Sequence, residues 1–246
     1  MKRRKFVQQS SLALASMGLY SRVPWSDILK RKKKISPNNR INVGLIGCKG
    51  MGFADLASLL KIPEVHCVAL CDIDTSVLNE RAGNLQERGL PQPTLYGDYR
   101  KLLENQDIDV VVIGTPDHWH CLQLVDALDA GKDIYCEKPI ANSIEECDIM
   151  LKKVHNSDRI VQIGQWQRSQ KHFNDAVQYV RSGQLGKIRE VKVWSFQGWM
   201  KPVPVKPDSP VPAGVDYDMW LGPAPKRPFN ENRFHFNFRW FWDYAG

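Results

Sequence analysis

The chain has 246 residues, of which 43% are hydrophobic and 25% are charged, as in an ordinary soluble globular protein. Its formal charge of +7 arises in residues 1–40, where eleven Lys and Arg accompany one Asp, because residues 41–246 carry 23 basic and 26 acidic side chains. A mildly acidic body argues against a nucleic acid as the partner.

The N-terminus is typical of an export signal. In "MKRRKFVQQSSLALASMGLYS" the pair Arg3-Arg4 precedes a weakly apolar run from Ser10 to Leu19. The RR-x-F-V pattern resembles the twin-arginine export motif, and the apolar run is too short for a stable membrane anchor. We therefore expect a periplasmic or otherwise exported protein, with residues 1–40 as export signal and basic linker. The alternative is a disordered basic tail.

Six cysteines show no C-x-x-C pair and no spacing typical of zinc ligands. They are Cys48, Cys67, Cys71, Cys121, Cys136 and Cys147. Most lie in apolar runs, so we expect buried free thiols. An exported protein with free thiols would fold before export, which is how twin-arginine substrates travel.

From residue 41 to residue 164, short apolar runs alternate with amphipathic segments. Five of the runs, in "RINVGLIG", "VHCVALCD", "IDVVVIG", "KDIYCEKP" and "RIVQIG", are typical of buried parallel strands. The helical spacing of Phe53, Leu56 and Leu59, and an N-cap at Asp74, predict helices between them. This alternation predicts six strands in a doubly wound parallel α/β sheet of the Rossmann type.

Two further helices and a strand are predicted after "KDIYCEKP". Ser143-x-x-Glu146 is a capping box, and we expect the apolar positions after it to face the core. "KHFNDAVQYVRSGQLG" predicts a helix that ends near a glycine, and "KIREVKVWSF" alternates like a half-buried strand. The inward positions of the first helix are Ile144, Cys147, Leu151 and Val154, and the ending glycine is Gly183 or Gly186.

The stretch "GLIGCKGMG" lies between the first predicted strand and the first helix. Gly47, Gly50 and Gly52 approximate the G-x-G-x-x-G turn that binds a dinucleotide phosphate at a helix N-terminus, although Lys49 replaces the second glycine. Asp72 ends the second strand, where an acid accepts hydrogen bonds from the adenosine ribose and repels the 2′-phosphate of NADP. We predict an NAD site, and the alternative is a tight turn on an unrelated sheet.

"GTPDHWH" and "CEKP" follow the fourth and fifth strands, so both should face the same crevice. Lys138 could orient a substrate hydroxyl or move its proton, and the alternative is an ordinary surface lysine. His118 and His120 could be metal ligands, but no carboxylate or cysteine cluster accompanies them. We therefore expect no metal here.

In this order, "VGLIGCKGMG", "CDID", "GTPDHWH", "CEKPIANSIEEC" and "QIGQWQRS" resemble the glucose–fructose oxidoreductase/inositol dehydrogenase (Gfo/Idh/MocA) family. The resemblance implies a Rossmann domain over residues 41–164 and an α/β domain with an open sheet from residue 165 onward. It also implies NAD(P)-linked oxidation or reduction of sugars and polyols, with Lys138 as the catalytic residue beside the nicotinamide and substrate. The implied cofactor residues are Gly47, Lys49, Gly50, Met51, Gly52, Asp72, Thr115, Pro116, Asp117, His120, Glu137 and Lys138, and the implied substrate residues are Gln165, Arg168 and His172.

The family pattern places a further motif with an acid and a histidine where this sequence ends, at Gly246. We therefore expect an incomplete second domain over residues 165–246, and a homo-oligomer in the full-length family form. Export predicts a tightly held cofactor, because little free dinucleotide is present outside the cytoplasm. Two alternatives stay open: a catalytically incomplete NAD-binding protein, and a glycosidase that works through transient oxidation by NAD.

Overall fold

The computed structural model describes residues 39–196, 198 and 202–245, so the predicted export signal lies outside the described residues. Strands and helices alternate over the first two thirds of this part, and short helices follow. The elements are β1 (Ile41–Ile46), α1 (Met51–Leu59), β2 (Val65–Cys71), α2 (Thr75–Glu87), β3 (Thr94–Tyr96), α3 (Tyr99–Leu103), β4 (Val110–Ile113), α4 (Asp117–Asp129), β5 (Asp133–Cys136), α5 (Ile144–His155), β6 (Val161–Ile163), α6 (Lys171–Arg181) and α7 (Tyr217–Leu221), with 3-10 turns at Trp166–Ser169, Glu231–Arg233 and His235–Trp240.

The six strands form one parallel sheet in the order β3-β2-β1-β4-β5-β6. Strand β1 pairs with both β2 and β4, so the winding of the chain reverses between β1 and β4. Open α/β sheets bind ligands at the carboxyl ends of the strands beside such a switch point. The Rossmann-type doubly wound sheet predicted from the sequence is confirmed.

Alternate strand residues enter two apolar clusters on opposite faces of the sheet. On β1, Val43 and Leu45 pack with α1 and α2, whereas Ile46 packs with α3 and α4. The predicted inward positions of α1 are buried, and the Asp74 side chain caps α2 by accepting the backbone N–H groups of Ser76 and Val77. Burial of each large aliphatic side chain contributes about 1.5–3 kcal/mol, so these two clusters fix the sheet between its helices.

Helix α5 begins with the predicted capping box but buries a narrower stripe than its sequence suggests. Met150 is buried, and Val154 packs against the same cluster. Ile144 is 80% exposed and Leu151 is 55% exposed, so the expectation that both face the core is wrong. These two positions lie roughly 60–100° around the helix from the buried stripe, because an α-helix turns 100° per residue.

The segment after β6 differs from the prediction in one respect. Helix α6 is present, and Gly183 and Gly186 follow it with positive φ, but none of its residues is buried. Residues 187–196 are exposed and without regular structure, so the strand predicted for "KIREVKVWSF" is wrong. A strand requires a hydrogen-bonded partner, and the part of the chain that the structure describes contains none beside this segment.

A third cluster is aromatic and belongs to residues 217–244. It packs beside the sheet and contacts Ile73, just after β2. His118 accounts for its attachment, because its Nε2 contacts the carbonyl oxygen of Trp220 at 3.0 Å and its backbone N–H donates to the carbonyl of Tyr244 at 3.2 Å. The aromatic cluster is therefore tied to the first turn of α4, at the carboxyl edge of the sheet.

All six cysteines are free, and all except the half-buried Cys147 are buried. Burial raises the pKa of Cys67 and Cys121, to about 12 and about 11 respectively. Such thiols are unreactive, because the thiolate is the reactive form. Among the described residues, no helix is long and apolar enough to cross a bilayer.

Gly52→Ala is expected to destabilise the fold. An added Cβ would overlap the carbonyl oxygen of Gly47, and Gly52 is also pressed against Gly114. Because both neighbours are backbone, we expect a loss of about 3 kcal/mol in the free energy of unfolding, at the upper end of the usual cost of overpacking. Urea denaturation followed by circular dichroism measures it.

Gly83→Ala is the matched control. Gly83 lies within α2, and a Cβ there meets no atom within 4 Å. It should raise the free energy of unfolding by about 0.5–1 kcal/mol, since alanine is the better helix former. Equal effects of the two substitutions would contradict the proposed backbone contact at Gly52.

Candidate functional site

A cavity of about 970 Å³ opens at the carboxyl edge of the sheet. It is lined by residues at or just beyond the ends of β1, β2, β4 and β5, which meet around the switch point. Ten of the residues singled out from the sequence line it together. They are Gly47, Lys49, Gly50, Met51, Asp72, Thr115, Pro116, Asp117, Glu137 and Lys138.

The turn between β1 and α1 forms one wall of the cavity. Gly50 is the N-cap of α1 with φ of 55°, and a side chain there would project into open space. No side chain caps α1, so the amide groups of its first turn are left for another partner. Uncapped amides and the positive end of the helix dipole together make a phosphate-binding site.

Asp72 lies at the end of β2 and binds this turn. Its Oδ2 accepts the backbone N–H of Cys48 at 2.7 Å, and its Oδ1 accepts the N–H of Asp74 at 3.1 Å. Burial raises the pKa of Asp72, while these two N–H donors oppose the rise. A carboxylate has about four acceptor positions, so Asp72 can hold the turn and still accept a hydroxyl from the cavity.

Arg81 on α2 was not singled out from the sequence, yet it lines the same end of the cavity. Its Nε donates to the carbonyl of Cys48 at 3.2 Å, and its Nη1 donates to the Oδ1 of Asn84 and pairs with Glu80. The guanidinium is thus already engaged by the turn and by its own helix. An arginine inside an amphipathic helix carries no motif that would have revealed it.

The loops after β4 and β5 form a second wall. Lys138 lies on this wall, beside the buried Glu137 and before a cis peptide bond to Pro139. The Oγ1 of Thr115 donates to the Oε1 of Gln123 at 2.7 Å, which orients the loop after β4. Strand β4 separates β1 from β5 in the sheet, so Lys138 lies two strands along the carboxyl edge from the glycine turn, within the same cavity.

His120 is fully buried and does not line the cavity. Its Nδ1 contacts the carbonyl oxygen of Pro139 at 2.7 Å, and its Nε2 contacts that of Thr115 at 2.9 Å. It therefore holds the loops after β4 and β5 together. Both ring nitrogens of His118 also face backbone carbonyls, and burial lowers the pKa of His118. Within the described residues, no group of three metal-ligating side chains forms.

The 3-10 turn His235–Trp240 covers part of the cavity. The Nε2 of His235 donates to the Oδ2 of Asp74 at 2.9 Å, and burial and the Lys49 ammonium lower the pKa of His235. The Arg239 guanidinium lies over the Phe236 ring, 4.0 Å from its centroid, and faces the cavity. These side chains lie far from the glycine turn in the sequence, and no pattern in the sequence indicated that they would lie over it.

The remaining predicted residues lie elsewhere. Gly52 packs behind the turn against Gly47 and Gly114 and is not part of the cavity wall. Gln165, Arg168 and His172 follow β6 and are exposed, outside the lining of this cavity. Their assignment to substrate binding stays a prediction.

Two family models match the chain. The oxidoreductase family, NAD-binding Rossmann fold, matches residues 41–165, and the oxidoreductase family, C-terminal alpha/beta domain, matches residues 189–246. Among curated proteins, a glycosyl hydrolase family 109 protein from Shewanella sp. (strain W3-18-1) is 35% identical over 111 residues, which are 44% of this chain and 24% of that protein. The chain thus spans about a quarter of the length of that relative.

Solved structures of dehydrogenases have a similar fold. The myo-inositol 2-dehydrogenase from Lactobacillus plantarum superposes with a TM-score of 0.54 at 28% identity, over 61% of this chain and 43% of its own. The scyllo-inositol dehydrogenase from Lactobacillus casei, solved with NAD(H) and scyllo-inositol, gives 0.54 at 26% identity, over 60% and 42%. Since the Rossmann model alone matches more than half of the sequence, the chain belongs to the Gfo/Idh/MocA oxidoreductase family and contains its NAD-binding Rossmann domain.

Proposed function

We propose that this protein is an NAD-dependent oxidoreductase that acts on a hydroxyl group of a sugar or polyol. The observation that carries the proposal is the arrangement of one cavity, with an uncapped helix N-terminus and Asp72 on one wall and Lys138 on the other. An extended dinucleotide requires donors for its phosphates, an acceptor for its ribose and a polar group at its reactive end.

The residues present fit such a cofactor. Glycines at positions 47, 52 and 114 let the two backbones meet, which leaves the first turn of α1 open to the cavity. The α1 amides would hold the diphosphate, with Lys49 adding a positive charge nearby, and Asp72 would accept the ribose hydroxyls. A volume of about 970 Å³ is at the upper end for small-molecule sites, as a dinucleotide requires.

The nicotinamide group, when bound, accepts or returns the hydride of the substrate carbon. A side chain of the protein must accept or donate the proton of the substrate hydroxyl. Oxidation of a carbinol to a carbonyl releases a hydride from carbon and a proton from oxygen, and we assign the proton to the lone pair of the Lys138 Nζ, which must be in its neutral amine form for this step and becomes an ammonium by it. In reduction, the same Nζ returns the proton to the carbonyl oxygen. Glu137 next to it supplies negative charge at the cavity wall.

The substrate class rests on the relatives. The Lactobacillus casei dehydrogenase was solved with scyllo-inositol, a polyol, and the Shewanella relative is named a glycosyl hydrolase. Both ligand classes carry several adjacent hydroxyl groups. We propose that Gln165, Arg168 and His172, which follow β6 on the side of Lys138, contribute to binding such a substrate.

A second candidate function is glycoside hydrolysis through transient oxidation of the sugar by NAD. The 35% identity to a glycosyl hydrolase family 109 protein favours it. The two candidates share the same residues and differ in their products. Incubation with a sugar and with its aryl glycoside separates them, because only the glycosidase releases the aryl alcohol while its NAD returns to the oxidised form.

We further propose that the protein is exported with NAD already bound. The Arg3-Arg4 pair supports a twin-arginine route, and the free buried thiols suit a protein that folds before it leaves the cytoplasm. A cofactor enclosed by the turn His235–Trp240 would dissociate slowly. Mass spectrometry of the protein isolated from the native compartment tests this directly, and its isolation without nicotinamide would rule out retention.

Lys138→Ala is expected to lower turnover by about 10²–10⁴-fold, the usual contribution of a positioned acid or base. NAD affinity should change far less, because the phosphates and the adenosine ribose would bind at the ends of β1 and β2. Reduced-nicotinamide absorbance with candidate polyols measures turnover, and calorimetry measures affinity. Turnover that survives the substitution would remove Lys138 from the mechanism. NAD binding by the parent chain without any turnover would favour the catalytically incomplete NAD-binding protein.

Lys49→Glu is expected to weaken NAD binding by about tenfold, because it reverses a charge close to the diphosphate site. Lys49→Gln should give a smaller loss. Lys187→Glu is the matched control, since Lys187 is exposed in the segment after α6 and outside the cavity. The role assigned to Lys49 fails if the Lys49→Glu and Lys187→Glu proteins bind NAD equally well.

Conversion of Arg3 and Arg4 to lysine should retain the protein in the cytoplasm of a bacterium that has the twin-arginine system. Fractionation and immunoblotting measure the distribution. Lys32→Gln/Lys33→Gln is the control, because it removes two positive charges from the same region and leaves the arginine pair intact. Equal export of both variants would refute the twin-arginine route.

A further inference from the structure

Two carboxyl groups face each other beneath the candidate site. Asp55 lies on α1, one turn beyond the glycine turn, and Glu137 lies just after β5 and directly before Lys138. The Oδ2 of Asp55 and the Oε1 of Glu137 are both buried, and no N–H or O–H group from elsewhere in the described chain reaches either atom. A buried oxygen without a donor is costly, so these two atoms require an explanation.

A single proton shared by the two carboxyl groups explains why neither oxygen has another donor. Two adjacent buried carboxylates cannot both be ionised, and one of them keeps its proton and donates it to the other. Burial, followed by the charge of Glu137 and the hydrogen bond between the two groups, raises the pKa of Asp55 to about 8. Burial also raises the pKa of Glu137, but the backbone N–H and the ammonium of Lys138 oppose the rise. Asp55 is therefore the group that holds the proton at neutral pH.

The surroundings keep the two groups together. A Cβ on Gly164 would overlap the Oε1 of Glu137, so the end of β6 presses this carboxylate towards Asp55. Tyr135 lies on the α1 side of the sheet, and burial, with the charges of Asp55 and Glu137, raises its pKa. Cys136 packs on the other face, and burial, with the charge of Glu137, raises its pKa as well. Neither side chain is ionised at neutral pH, and Lys138 is the one cation among the groups that act on the pair in the described chain.

We propose that Asp55 is a positioning residue, whose protonated carboxyl donates to Glu137 and so ties helix α1 to the loop that carries Lys138. The glycine turn at the start of α1 and the Lys138 loop form two walls of the cavity, at the ends of β1 and β5. The hydrogen bond between Asp55 and Glu137 therefore sets the distance between these two walls. The inference deepens the proposed function, and its consequence for NAD rests on that function. A dinucleotide that spans both walls binds best when the distance between the walls is fixed.

The link has a defined pH dependence. The folded protein holds a proton on Asp55 that the unfolded chain loses above about pH 4, so folding takes up a proton between about pH 4 and about pH 8. Stability therefore falls as the pH rises through this window and levels above it. The Asp55→Asn protein should lack this pH-dependent loss of stability, because the amide still donates to Glu137 and does not titrate.

The first test is the thermal midpoint of the full chain without ligand, measured between about pH 6 and about pH 10. The midpoint of Asp55→Asn should rise relative to wild type as the pH approaches 8, and the difference should then stay constant. Asp55→Ala should be the least stable variant in acid, since it leaves Glu137 without a donor. Asp107→Asn, a neutralised carboxylate at an exposed position, should follow wild type throughout. Parallel curves for wild type and Asp55→Asn would overturn the shared proton.

The second test is NAD affinity over the same pH range, measured by calorimetry. Wild-type affinity should fall by about tenfold above pH 8, as expected for loss of a hydrogen bond to a charged group, while Asp55→Asn keeps its affinity and Asp55→Ala is weak at every pH. Equal pH profiles for wild type and Asp55→Asn would overturn the positioning role. If wild type does not bind NAD at all, the proposed function fails, and the thermal curves still decide whether Asp55 makes the link.

Discussion

The contact between two glycine-containing turns controls the geometry of this molecule's candidate site. Gly47 and Gly52 from the β1–α1 turn meet Gly114 from the β4–α4 turn with backbone against backbone. Strands β1 and β4 are neighbours at the point where the winding reverses, so their turns diverge above this contact. Any side chain between them would push α1 away from the sheet. The cavity above and the carboxyl pair below both depend on this close approach.

The charges around the cavity follow from this geometry. Asp72 and Glu137 lie at strand ends, and backbone N–H groups satisfy Asp72 through its bonds to Cys48 and Asp74. Lys49 and Lys138 come from the loops after β1 and β5, Arg81 comes from α2, and Arg239 from the distant turn His235–Trp240 rests on an aromatic ring. The fixed acids favour hydroxyl donors, whereas the cations and helix N-termini favour anions. A molecule that carries both phosphates and hydroxyl groups matches this division better than a simple anion does.

Features carried by contiguous residues were accessible from the sequence. The strand runs, the Asp74 cap, the Ser143–Glu146 capping box and the glycine turn each depend on local spacing, and the structure contains all of them. Features set by distant partners were not accessible. Ile144 and Leu151 have the spacing of buried residues but are exposed, and residues 187–196 alternate correctly yet have no partner strand among the described residues. Arg81, His235 and Arg239 reach the cavity only because α2 and the aromatic cluster fold towards it.

The same distinction explains why the sequence did not indicate a role for Asp55. In the sequence it is one acid on an amphipathic helix, where solvent exposure is the ordinary outcome. Asp55 lies on α1 just beyond Gly52, which packs against Gly47 and Gly114, and its buried Oδ2 lies with Glu137. An apolar residue at this position would leave the buried Glu137 oxygen without a donor, and a lysine would bring in a full charge in place of a shared proton. A protonated acid is neutral and small and donates one hydrogen bond, which is what the Glu137 oxygen lacks.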